Sequence, residues 1–179
     1  RRLAEKTYGA IPAADTPRRR RSREPDPKTA RKVVLADPKV EQPSLQRAYL
    51  APSYTTGKPG EAEAFDLLSQ ILGAQSTGRF HRRLVMDRRV AVAAGAWYQG
   101  SALDETRFMV WAMPHPGVSL ETLEAEVDAV IGEIVDGGVD AHELARAKTR
   151  LIADTIYAQD SQASLARIFW YAAQADKHD

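Results

Sequence analysis

The stretch ILGAQSTGRFHRRLVMDRRVAVAAGAWY (71–98) decides how this chain folds. It opens on the end of a helix, turns through small residues between Gly73 and Gly78, and continues as a basic amphipathic helix to about Arg88. Phe80, Leu84 and Val85 share one face of that second helix, while Arg79, Arg82 and Arg83 occupy the others. The stretch closes as a strand, 90–99, made largely of small residues with Trp97 near its end. Two helices joined by a tight turn and then run into a strand describe a helical layer laid on a sheet.

Upstream, Phe65, Leu68 and Leu72 fall at helical spacing in 61–72, and Gly73 ends that helix. Pro52 and TTGKPG (55–60) break the chain before it. LQRAYLA (45–51) and RKVVLA (31–36) read as strands, separated by the turn chemistry of DPKVEQPS (37–44). Residues 10–30, with TPRRRRSREPDP (16–27), read as an exposed linker in which Arg18 to Arg21 are solvated. Residues 1–9 read as the last turns of a helix ending at Gly9.

Downstream, residues 106–113 form a further strand after the polar turn GSALDE (100–105), and PHPG (114–117) stops it. Ser119 is a good N-cap for a helix over 120–135, whose Leu123, Val127, Val130, Ile131 and Ile134 make one stripe. Gly137 and Gly138 end that helix. Asp140 caps the next, with Glu143 at the position of a capping box, and it runs to about Ala158. A last helix, capped near Asp160 or Ser161, carries Leu165, Ile168, Phe169 and Ala172. Strands separated by paired helices, without strict alternation, predict an α+β fold: a largely antiparallel sheet with helices layered on one face.

Composition narrows the function. A chain of 179 residues holds one domain with a real core. A net charge of +1 lacks the basic excess of a dedicated nucleic-acid binder. With no Cys, neither a disulfide nor a thiolate metal site can form. No apolar run approaches the ~20 residues of a membrane span. His81, His115, His142 and His178 show no zinc-ligand spacing: His142-Glu143 starts as H-E-x-x-H would, but Arg146 stands where the second His belongs. Ser76-Thr77-Gly78 reads as capping, not as a nucleophile, and no G-x-S-x-G or G-K-[ST] is present. No catalytic, cofactor-binding or metal residue is therefore expected.

Several segments, in order, resemble one family. AEKTYGAIPA (4–13), VEQPSLQRAYLAP (40–52), LGAQSTGRFHRRL (72–84), the loop 114–117 and GGVDAHELARAKTRL (137–151) together resemble the second, non-catalytic domain of pitrilysin/insulinase-family zinc metallopeptidases, of a bacterial processing-peptidase-like type. The resemblance implies a tandem of similar domains enclosing a peptide substrate, with the inverted H-x-x-E-H zinc motif on an upstream domain. It implies that residues 1–9 end a helix of that upstream domain and that 31–179 form the non-catalytic domain, cut short at its C-terminus. In partner subunits of the family an Arg and a Tyr seven positions apart bind the substrate backbone. Those positions fall here at Leu84 and Ala91, which cannot do so, and the same spacing at Arg47/Tyr54 and Arg150/Tyr157 reads as chance. The implied partners are the chain's own catalytic domain, a homologous Arg/Tyr-bearing subunit and a peptide; zinc belongs to the catalytic domain. Self-association through uncovered apolar surface is also expected. The alternative implied by the same resemblance is an inactive homologue, acting as an assembly subunit in the manner of a respiratory core protein or the glycine-rich-loop partner of a processing peptidase. The compartment stays open.

Overall fold

A computed structural model describes residues 1–12, 25 and 27–175; Arg18 to Arg21 and His178 lie outside the described residues. The elements run α1 (Arg2–Tyr8), β1 (Leu45–Ala51), α2 (Glu61–Gly73), a π-helix (His81–Asp87), β2 (Ala91–Tyr98), β3 (Thr106–Pro114), α3 (Leu120–Gly137), α4 (Ala141–Ala158) and α5 (Gln162–Ala175). The strands form one antiparallel sheet in the order β1-β3-β2. This is the α+β architecture expected from the sequence.

β3 is the central strand and shows why. Thr106, Phe108, Val110, Ala112 and Pro114 are buried while the residues between them are more open, the period-two pattern of a strand with one face on the core. The pairings place Ala51 with Thr106, Ala94 with Ala112 and Ala96 with Val110, so small side chains line much of that face. Phe80, Leu84, Leu123, Val127 and Val130, all fully buried, close over it from the π-helix and α3. Leu72 adds the end of α2, and Gly73 lets that end approach β2. A Cβ there would stand 2.2 Å from the Ala96 carbonyl oxygen.

The helix starts are built locally. Ser119 Oγ accepts the Thr122 amide at 3.1 Å and Asp140 Oδ1 the Glu143 amide at 2.9 Å, each satisfying one orphan donor of a first turn. α2 starts instead from Gly60 in the left-handed region (φ 89), with the Glu61 carboxylate accepting the Lys58 amide.

Two sequence expectations need correction. Residues 31–36 form no strand: they join no sheet ladder, and Val33, Val34 and Leu35 are exposed. β propensity reports fit to a half-buried pleated surface, and here no such surface is offered. The helix expected over 78–88 exists, but from His81 to Asp87 it is wound as a π-helix. The Arg88 amide reaches back five residues to the Arg83 carbonyl. Arg89 follows with φ 52, a left-handed conformation uncommon outside glycine, and swings the chain into β2.

The other sheet face carries Leu50 from β1, Met109, Trp111 and Met113 from β3, and Gly95 and Trp97 from β2. Gly95 pairs with Trp111, whose indole lies where a Cβ would be, 2.8–3.0 Å away. Arg107 stacks over Trp97 at 6.0 Å. The helices touching the sheet all bring their apolar sides to the opposite face.

Candidate functional site

Arginine 79 and Glu143, 64 positions apart, meet in the most buried charged contact among the described residues. The guanidinium is held between the start of α4 and the end of α3. Arg79 Nε donates to both Glu143 oxygens at 3.0 and 3.1 Å, and Nη2 donates to Oε2 at 2.7 Å and to the Gly138 carbonyl at 2.9 Å. Arg82 adds a longer bond at 3.3 Å. Glu143 is 5% exposed. The capping box expected at Asp140–Glu143 is thus half formed: Asp140 caps the helix, but the glutamate turns away to Arg79. Hydrogen bonding to Glu143 raises the Arg79 pKa, and the Glu143 amide holds that of Asp140 below the usual carboxylate range.

Arg83 and Arg88 are also engaged. Arg83 pairs with Glu133 and Asp87, and Arg88 with Glu126 and Glu133. Across the sheet, Arg47 pairs with Glu124 and Asp128, and Lys32 with Glu124. The hydrogen bond from Arg47 holds Asp128 low, and that from Lys32 holds Glu124 low. The basic helix expected to be solvated, or to meet a partner's carboxylates, is instead clamped onto the acidic side of α3 and the start of α4. A space of about 600 Å³ lies among Arg79, Arg82, Arg83, Glu133, Asp136 and Glu143. Its mixed signs largely satisfy each other, so it has no chemical preference for a ligand.

A second polar node lies by the β1–α2 connection. Tyr54 donates to Asp66, and Tyr98 to the Pro52 carbonyl. Burial pushes the Asp66 carboxyl up, and burial with the bond to Asp66 pushes the Tyr54 phenol up. Phe65 packs on Tyr98 and Phe108 with ring centroids 5.4 and 6.0 Å apart. These bonds fasten α2 to the sheet.

Leu84 and Ala91, where the Arg/Tyr pair would map, are buried at 0% and 2% exposure in the π-helix and β2. Neither position faces solvent. Arg47 is held by α3, Tyr54 by Asp66, Arg150 bonds Thr77 Oγ1 at 3.3 Å, and Tyr157 is exposed, so neither chance pair forms a site. His81 starts the π-helix, His115 follows β3 with Nδ1 3.3 Å from the Pro116 carbonyl, and His142 is exposed in the first turn of α4. Among the described residues no group of three or more His, Cys, Asp or Glu is placed to hold a metal. No described helix is long and apolar enough to cross a membrane. Sequence reasoning missed the Arg79–Glu143 contact, since Glu143 stands where a capping-box glutamate would and among polar neighbours Asp140, His142 and Arg146.

A sequence profile of the peptidase M16 inactive domain matches residues 1–151. The zinc protease PqqE of Helicobacter pylori is 27% identical over 147 residues, 82% of this chain and 32% of that protein. Among solved structures, a protease from Helicobacter pylori matches with a TM-score of 0.69 at 24% identity, over 79% of this chain and 33% of the other. The peptidase M16 inactive domain from Pseudomonas fluorescens matches with a TM-score of 0.57 at 22% identity, over 74% and 30%. At these identities the structural likeness speaks for the fold. The chain spans about a third of the length of these relatives.

Proposed function

The chain belongs to the peptidase M16 inactive-domain family, and from that premise we propose that it is the non-catalytic domain of a zinc-dependent endopeptidase, closing a substrate chamber opposite a catalytic domain. The observation that carries this reading is the profile match over residues 1–151, on a fold that layers its helices on one sheet face. The donor set does not fit zinc. His81, His115 and His142 stand on separate elements, and no convergent carboxylate joins them among the described residues. No chemical step is therefore routed through a metal here; the zinc and its H-x-x-E-H motif are assigned to the catalytic domain. The chain's part is mechanical: it presents a rigid wall, with the Arg79–Glu143 contact and the α3 ion pairs fixing helices that would otherwise be joined mainly by apolar contact.

Apolar surface supports a role beside other protein. Ile152, Ile156 and Tyr157 on α4, and Phe169 and Trp170 on α5, are large apolar side chains left exposed. The homologous Arg/Tyr-bearing subunit is proposed as a further partner of the whole protein. Complementation tests the reading. The rest of the full-length protein and this chain are prepared separately and assayed for peptide hydrolysis and zinc, alone and mixed. The reading predicts hydrolysis only in the mixture, with zinc carried by the other part. Full activity without this chain would refute the chamber role. Neither zinc nor activity in the mixture or in the intact protein would select the inactive, assembly-subunit alternative instead.

A further inference from the structure

α4 lays three basic side chains along one line, and among the described residues none of the three is in a salt bridge. His142, Arg146 and Arg150 stand at successive i, i+4 positions and line a groove of about 460 Å³ between α4 and the end of α2. Its floor is small and apolar, with the buried Ile71 and the alanines Ala74 and Ala153. Glu143 is the only carboxylate on the lining, and it is turned to Arg79 and Arg82. Arg146 makes no hydrogen bond or ion pair among the described residues, although its charge reaches Asp140, which caps α4. Arg150 spends one donor on Thr77 Oγ1.

We infer that this groove docks an acidic peptide segment in extended conformation. The spacing supplies the register. Residues four apart on a helix rise about 6 Å, and alternate side chains of an extended strand stand about 6.6 Å apart on one face. Carboxylates at alternate positions of a peptide therefore meet His142, Arg146 and Arg150 in turn, while the intervening residues face solvent. By sequence, the segment 16–27 carries Arg18 to Arg21 and a net positive charge, the wrong sign for this groove. A second copy offers an α3 whose Glu124, Glu126, Asp128 and Glu133 are already paired with their own cations. The inference stands apart from the chamber role, because binding is read on this chain with no peptidase present.

The test is fluorescence anisotropy with three labelled peptides: one with Glu at alternate positions, one with Lys in their place, and one with the glutamates clustered. The alternating Glu peptide should bind, the Lys peptide should not, and the clustered peptide should bind more weakly. Arg146→Glu should weaken binding at least about fivefold, with affinity falling as salt rises, and Arg146→Lys should restore most of it. Arg146 is exposed, so circular dichroism of the Arg146→Glu protein should match the parent and separate lost binding from lost fold. Equal binding of the Lys peptide, or affinity unchanged by Arg146→Glu, would overturn the assignment. Dimerisation abolished by the same substitution would give the groove to a second copy and overturn it too.

Discussion

Removing the Glu143 side chain should cost this domain more than any exposed ion pair does. Glu143→Ala takes away the acceptor of three Arg79 bonds and leaves the guanidinium, 12% exposed, with only the Gly138 carbonyl. Breaking one side of a fully buried pair costs about 3–5 kcal/mol, because the other charge stays desolvated. Here Nη2 reaches the domain's edge at Gly138, where water can approach, so the cost should be about 2–3 kcal/mol. The cap is not disturbed, since Asp140 accepts the backbone amide of position 143, which alanine keeps. Urea unfolding followed by circular dichroism near pH 7 measures it, in a cycle with Arg79→Ala. The two single changes should be strongly non-additive, with a coupling of about 2 kcal/mol. Replacing both by apolar residues of similar size should recover most of the loss. A Glu143→Ala cost below about 0.5 kcal/mol, or an additive cycle, would refute the claim that this contact fixes α4 to the turn that leads into the π-helix.

Leu84→Arg should unfold the domain, costing more than about 4 kcal/mol by burying an unpaired guanidinium, and thermal melting should show it. Gly95→Val should push the Trp111 indole aside and cost about 1–3 kcal/mol, with a changed tryptophan emission. Val34→Lys should change stability by less than about 0.5 kcal/mol, because residues 31–36 belong to no strand; a larger loss would restore the strand reading. Acid should destabilise the fold. The folded-state pKa values of Asp128, Glu124 and Asp140 lie below their ordinary values of 3.8, 4.5 and 3.8, so their contribution is full above the unfolded pKa and is lost as pH falls through the folded one. The urea midpoint should be level above about pH 5 and fall below about pH 4. Asp66, raised by burial, works in the opposite sense, and Asp66→Asn should deepen the fall.

Wherever a periodic pattern coincided with the core, the fold was readable. The Leu123, Val127 and Val130 stripe, the Phe65 to Leu72 spacing and the Ser119 and Asp140 caps each act within a few residues, and each appears in the structure. RKVVLA misled because its β propensity is local while a strand needs a neighbour, and β1 pairs with β3 instead. The π-winding was not legible. Nothing in HRRLVMD distinguishes five-residue from four-residue hydrogen bonding, and the difference is set by fitting Leu84 to the core and the chain to β2. The arginines of 79–89 could be seen as a basic helix, but apart from Asp87 the partners of Arg79, Arg82, Arg83 and Arg88 lie 38 to 64 positions away, and only the fold brings them together. The family signal survived because it is distributed over many short segments rather than resting on one contact.

The most direct check on the central claim is the zinc content of this chain alone, equilibrated with excess zinc, passed through a desalting column and measured by mass spectrometry beside a peptidase assay. A domain whose three described histidines stand on separate elements should retain far less than one zinc per chain and hydrolyse nothing. One zinc per chain, with hydrolysis lost on chelation, would contradict it.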